Sequence, residues 1–223
     1  MWTQSAASYV KEAVKNMEEW MERMGLKFPA QCDTPMPTTY RPELDVSPEL
    51  LPEVANWYQS AIGVLWWAIE LGRVDITTKT LMMASMMAFL RNGYLVAILR
   101  IFTYLKKHHN SCIVFNPTYP DIDYSSFGKK DWTRFYNNVK EPIPPNAPKP
   151  LGLPVVICFF VDADHAVDHL TRRSRTGYVM YLNSAIVNWY SKKQGSVEGA
   201  TFGSEFMAIK TVVKMNRGLR YKL

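Results

Sequence analysis

The fold is decided by the stretch VVICFFVDADHAVDHLTRRSRTGYVMYLNSAIVNWYSKKQGSVEGATFGSEFMAI, residues 155–209. It opens with an apolar run, Val155–Val161, that reads as a buried strand stopped at Asp162. Gly177–Leu182 (GYVMYL) and Ala185–Ser191 (AIVNWYS) are rich in β-branched and aromatic residues, and Asn183-Ser184 between them makes a tight turn. From Gly203 to Leu219 the period becomes helical, with Phe206, Ile209, Val212, Val213, Met215 and Leu219 along an apolar side. The predicted order is three antiparallel strands followed by a helix.

Upstream the pattern is helical. Tyr9, Val10, Ala13, Val14, Met17, Trp20, Met21 and Met24 form one apolar stripe over 5–24, and Gly25 is a natural stop. A proline-rich connector covers 29–52. Further helices are predicted over 53–71, from a cap at Asp75 to about Asn92, and over 94–107, with Gly93 as a break. Ser111–Phe115 reads as a short strand. Residues 116–152 are rich in Pro, Asp, Tyr and Asn, with room for a short helix near 132–139, and end in the stiff run EPIPPNAPKP. The expected organisation is an α+β chain: a helical region over 1–115, a linker over 116–152 and a strand-and-helix unit over 153–223.

The 223 residues are 48% hydrophobic and 21% charged, which excludes a disordered chain. No apolar run approaches the roughly 18 residues that span a bilayer, so no membrane partner is expected. Cys32, Cys112 and Cys158 are isolated and odd in number, which argues against a disulfide framework and fits an intracellular site, cytoplasmic or nuclear. The net charge of +6 is concentrated late: residues 151–223 hold ten Lys/Arg against five Asp/Glu. Between Thr171 and Lys193 there are five basic residues and no acid. Such a patch suits phosphates, or simply a solvated face.

Three readings fit the acids and histidines after the first strand. His165 and His169, four apart, could offer two imidazoles to zinc, yet nothing supplies a third ligand. Asp164 and its neighbours could be solvated turn residues. Alternatively, a carboxylate mounted on a rigid strand could hold Mg²⁺, with Glu205 in the first turn of the following helix as its companion.

The same run resembles the RNase H domain of copia-type retrotransposon Pol polyproteins. The shared elements are an Asp-x-Asp after strand one (Asp162, Asp164), a basic R-R-S-x-T-G-Y element (Arg172–Tyr178), a W-x-S-K-K-Q strand (Trp189–Gln194) and an S-E-F-hydrophobic-Ala helix (Ser204–Ala208). Upstream, YQSAIGVLWWAIELGRVDI and ILRIFTYLKKHHN resemble the helices that join reverse transcriptase to RNase H in that family. The resemblance runs from about Tyr9 to Leu223. It implies a truncated RNase H-like fold whose ancestral activity is two-metal hydrolysis of RNA in an RNA–DNA hybrid. Asp162 and Glu205 would be the catalytic metal ligands for Mg²⁺, or Mn²⁺ in its place. Arg172, Arg173, Arg175, Lys192 and Lys193 would hold the nucleic-acid backbone. Trp189 and Tyr178 would pack the sheet or stack on bases.

Departures from the pattern matter too. No aromatic-x-Asp-Asp pair of a polymerase is present. The family's third and fourth carboxylates would lie beyond Leu223, so impaired hydrolysis is expected, or a basic binding or structural remnant without catalysis. The first strand would be left as an exposed edge, open to self-association. Val167 stands where the family commonly has a glycine, in a turn that calls for positive φ.

Overall fold

The computed structural model describes residues 1–29, 32–128, 131–140, 142–149, 152–220 and 222. Four helices form the larger core: α1 (Ala7–Arg23), α2 (Pro52–Glu70), α3 (Thr77–Ala84) and α4 (Asn92–Lys107). On α1 the buried residues are Val10, Val14, Met17 and Met21, the three- and four-residue spacing of a single stripe. They meet α4, whose Ile98, Ile101, Phe102 and Leu105 are almost wholly buried. Each such side chain contributes about 1.5–3 kcal/mol on leaving water. Tyr58 of α2 is fully buried and donates its hydroxyl hydrogen to the carbonyl of Met83, 3.2 Å away. Trp20 stacks on Trp57, their ring centroids 3.5 Å apart.

Several helix boundaries differ from the sequence expectation. The helix expected to start at Asp75 and run to about Asn92 begins instead at Thr77, after a 3-10 turn over Val74–Ile76, and ends at Ala84. Asp75 does not cap it. Its carboxylate receives two hydrogen bonds from the fully buried Arg73, from Nε at 2.9 Å and Nη2 at 2.6 Å. Gly93 does not break a helix but lies in the first turn of α4. A Cβ there would sit 1.7 Å from Oδ2 of Asp45, so close approach explains the glycine.

The strand expected over Ser111–Phe115 is β2 (Cys112–Phe115), and its partner is a strand the sequence did not announce, β1 (Trp2–Ser5). They pair antiparallel, Trp2 opposite Phe115 and Ser5 opposite Cys112. A short helix, α5 (Thr133–Tyr136), falls within the expected linker. Lys129, Lys130, Glu141, Pro150 and Leu151 of that linker lie outside the described residues. Its first residues are tied to the second sheet, Asn183 Nδ2 donating to the Pro117 carbonyl at 3.0 Å and the Ser184 amide to that of Thr118 at 3.0 Å.

The C-terminal part has the expected order. The strands β3 (Ile157–Asp164), β4 (Arg175–Leu182) and β5 (Ala185–Lys193) form an antiparallel sheet in sequence order, followed by helix α6 (Thr201–Arg220). Among the described residues β3 is paired on one side only. One face of this sheet packs on α6: Val212 and Leu219 meet Phe159, Val161, Tyr178, Met180 and Tyr190. The other face turns toward α2 and α3, and Trp189 of β5 packs against the helical core.

Candidate nucleic-acid interface

Strand β3 continues two residues past Asp162, to Asp164, rather than stopping at it. The period of two then fixes where each acid points. Phe159 and Val161 face α6, so Phe160, Asp162 and Asp164 belong to the opposite face. There Asp162 lines a cleft of about 300 Å³ together with Phe160, Val179 and Trp189 of the sheet and Thr77 and Thr78 of α3. Glu205 is on α6, next to the sheet-facing Ser204, which is fully buried. The two carboxylates carried over from the resemblance are thus mounted on opposite sides of the sheet. Among the described residues no three His, Cys, Asp or Glu side chains gather as metal ligands. This donor set does not fit a two-metal centre, which needs carboxylates converging on one point.

The histidines also part company. No helix forms over 165–172. His165 Nδ1 lies 3.2 Å from the Ser204 hydroxyl, whereas His169 Nε2 accepts a hydrogen bond from Arg41 Nε at 3.4 Å.

What organises the β3–β4 turn is Asp168, which is buried. Its Oδ1 accepts from the amides of Leu170 and Thr171 at 3.1 and 2.8 Å, and its Oδ2 takes a hydrogen bond from Lys193 Nζ. Burial alone would raise this carboxyl, but the bond from Lys193 and those from Thr171 outweigh it and hold the pKa at about 2. The left-handed backbone falls on Ala166 (φ 49°) and Arg172 (φ 55°), not on Val167.

The five basic residues divide. Arg172, Arg173 and Lys192 are exposed at one end of the sheet, where the Gln194 amide joins β5 to the turn through the Ser174 carbonyl at 2.8 Å. Lys193 is engaged by Asp168. Arg175 is buried, pointing with Asp164 and Lys193 toward the helices. Burial lowers its guanidinium pKa, with Asp164 and Asp168 opposing the shift. The motif residues Ser174, Ser191 and Gln194 are buried as well. Gln194 Nε2 bridges Thr176 Oγ1 at 3.0 Å and the Ser204 carbonyl at 2.9 Å, fastening α6 to the sheet. Tyr178 is stacked on Tyr190 with its hydroxyl on Asn188, so it packs the sheet.

No protein-family model and no solved structure match the chain. Over 198 residues, 87% of its length, it is 22% identical to the retrovirus-related Pol polyprotein from transposon TNT 1-94 of Nicotiana tabacum. The chain is related to a retrotransposon Pol polyprotein. A stretch of 50 residues, 22% of the chain, is 44% identical to the secreted RxLR effector protein 161 of Plasmopara viticola. These matches span 12% of the Pol polyprotein and 35% of the effector.

In this Pol-related chain two further cations stand beside the basic turn. Arg41 reaches it from the proline-rich connector and Lys79 from α3. Burial lowers the Lys79 pKa, the charges of Arg41 and Arg175 add to that, and Asp164 opposes. Neither residue belongs to a local charge run, so only the tertiary fold could reveal them. No described helix is long and apolar enough to cross a membrane.

Proposed function

We propose that the chain is a segment of a copia-type Pol polyprotein, spanning the connection region and the first half of an RNase H domain, and that it binds nucleic-acid backbone without cutting it. The observation that carries this reading is the gathering of exposed Arg172, Arg173 and Lys192 at one end of the sheet. Cationic side chains on a rigid sheet end neutralise phosphates whatever the base sequence. The placement of Asp162 and Glu205 on opposite sheet faces speaks against hydrolysis by this chain's own residues.

The test is fluorescence anisotropy with a labelled RNA–DNA hybrid, titrated over a range of salt, with Mg²⁺, Mn²⁺ or EDTA. Binding is expected to weaken steeply with salt and to be indifferent to EDTA, Asp162→Asn and Glu205→Gln. The pair Arg172→Ala/Arg173→Ala should weaken it for all sequences and lower the salt slope by about 0.9 per lost phosphate contact. Metal-dependent loss of the RNA strand, abolished by both carboxylate substitutions, would replace this reading with the hydrolytic one.

A further inference from the structure

Between the helical layer and the sheet lies a second cavity, of about 610 Å³, well within the range of small-ligand sites. Trp66 of α2 and Trp189 of β5 line it, with Thr77 of α3 and the charged groups Arg175, Lys193 and Glu70. Arg175 and Lys193 share the sheet face turned to it, so two basic side chains meet one acid.

Two features mark this as more than a gap in packing. Arg175 is only 7% exposed and its Nε has no hydrogen-bond partner. Thr77 is 6% exposed and its Oγ1 is equally unpartnered. A buried donor left unsatisfied costs about 1–3 kcal/mol, more when charged. A ligand oxygen in the cavity would relieve both. Trp66 is 46% exposed although its neighbours Leu65 and Ile69 are buried, leaving an indole free on the rim. The cavity therefore offers aromatic surface together with a buried guanidinium whose Nε lacks an acceptor.

We propose that this cavity binds a nucleoside monophosphate group, the base lying against Trp66 and Trp189 and the phosphate taken by Arg175 and Lys193. The base supplies the flat apolar surface, the phosphate the acceptors that Arg175 Nε and Thr77 Oγ1 lack, and Glu70 is an acceptor for ribose hydroxyls. Arg is the suitable cation, since its planar fork matches phosphate oxygens. The inference does not rest on the backbone-binding reading above, because a free mononucleotide offers no strand to hold.

The test is calorimetric titration of the intact chain with AMP, adenosine, inorganic phosphate and a short 5′-phosphorylated oligonucleotide. AMP should saturate one site with Kd of about 1 mM or tighter. Adenosine and phosphate should each bind at least about tenfold more weakly, because each keeps only half of the contacts. Trp66→Ala should weaken AMP about tenfold, while Trp66→Phe keeps most of the affinity. Arg175→Lys, which retains the charge but not Nε, should weaken AMP and leave adenosine unchanged. If the oligonucleotide displaces AMP, the source is a strand end; if it does not, the source is the free nucleotide, and either result supports the site. AMP binding no tighter than adenosine, unchanged in Trp66→Ala, or absent with a folded chain overturns it.

Discussion

The ammonium of Lys193, at the end of β5, is bonded to the carboxylate of Asp168, in the turn between β3 and β4. That contact ties the β3–β4 turn to the end of β5, and it closes the basic end of the sheet. Its pH dependence has a definite sign. The folded Asp168 carboxyl has a pKa of about 2, below the ordinary value of about 3.9. A depressed carboxyl stabilises the fold fully above its unfolded pKa and ceases to as pH falls through the folded one. Stability should drop by up to about 2 kcal/mol between about pH 4 and pH 2. Asp168→Asn keeps an oxygen for the Leu170 and Thr171 amides but loses the charge. Urea unfolding should show that variant weaker at pH 7 by about 1–2 kcal/mol, with that part of the acid transition removed.

The same turn yields a prediction about backbone. Ala166 has φ 49°, while its amide donates to the Ser174 hydroxyl at 3.0 Å. A left-handed conformation costs a residue with a Cβ roughly 1–2 kcal/mol, partly offset by the extra freedom glycine gives the unfolded chain. Ala166→Gly is expected to raise stability by up to about 1 kcal/mol. Val167→Gly should lower it, because Val167 does not occupy that region. Thermal unfolding of the two variants separates them.

Gly93 permits a contact between the connector and α4. The Asp45 carboxylate occupies the space a Cβ would need, and its Oδ1 accepts from the Ser47 amide at 2.8 Å. The Ser47 hydroxyl in turn accepts from the Gly93 amide at 2.8 Å. Gly93→Ala must push Asp45 aside and is expected to cost about 1–3 kcal/mol. The second substitution Asp45→Ala should recover part of that loss, and a double-mutant cycle by chemical denaturation measures the coupling.

What could be read in the sequence was whatever is written locally. The stripe on α1 and the alternation in β3–β5 are repeats of a few residues, and the structure has them within two or three residues of their expected ends. Strand β1 was not legible because four residues carry no period of their own and its partner β2 is more than a hundred residues away. The end of α3 at Ala84 was hidden because LMMASMMAFL stays apolar and helix-favouring beyond the point where the chain turns. At the site, the motif around Trp189–Gln194 was visible, but its work was not. Trp189 fills the seam with the helices and Gln194 anchors α6, which depends on which face of a strand meets which helix. Likewise the register that puts Asp162 opposite α6 emerges only once Phe159 and Val161 have claimed the apolar side.

An ion pair fixes the loop between α2 and α3. Arg73 is fully buried, bonded twice to Asp75, and its guanidinium carbon lies 5.9 Å from the Tyr104 ring centroid. The Tyr104 hydroxyl donates to Asp75 Oδ2 at 2.9 Å. Burial would raise the Asp75 carboxyl, but the bonds and charge of Arg73, with that of Tyr104, pull it below the ordinary carboxylate range. The pair's stabilisation is therefore present at neutral pH and lost as acid protonates Asp75. Removing one partner is worse than removing both. Asp75→Ala strands a buried guanidinium and should cost about 3–5 kcal/mol, seen as a lower urea midpoint with an unchanged slope. Arg73→Met combined with Asp75→Ala leaves no unpaired charge, so it should be more stable than Asp75→Ala alone. A double variant no better than the single one would show that Asp75 contributes mainly through Tyr104.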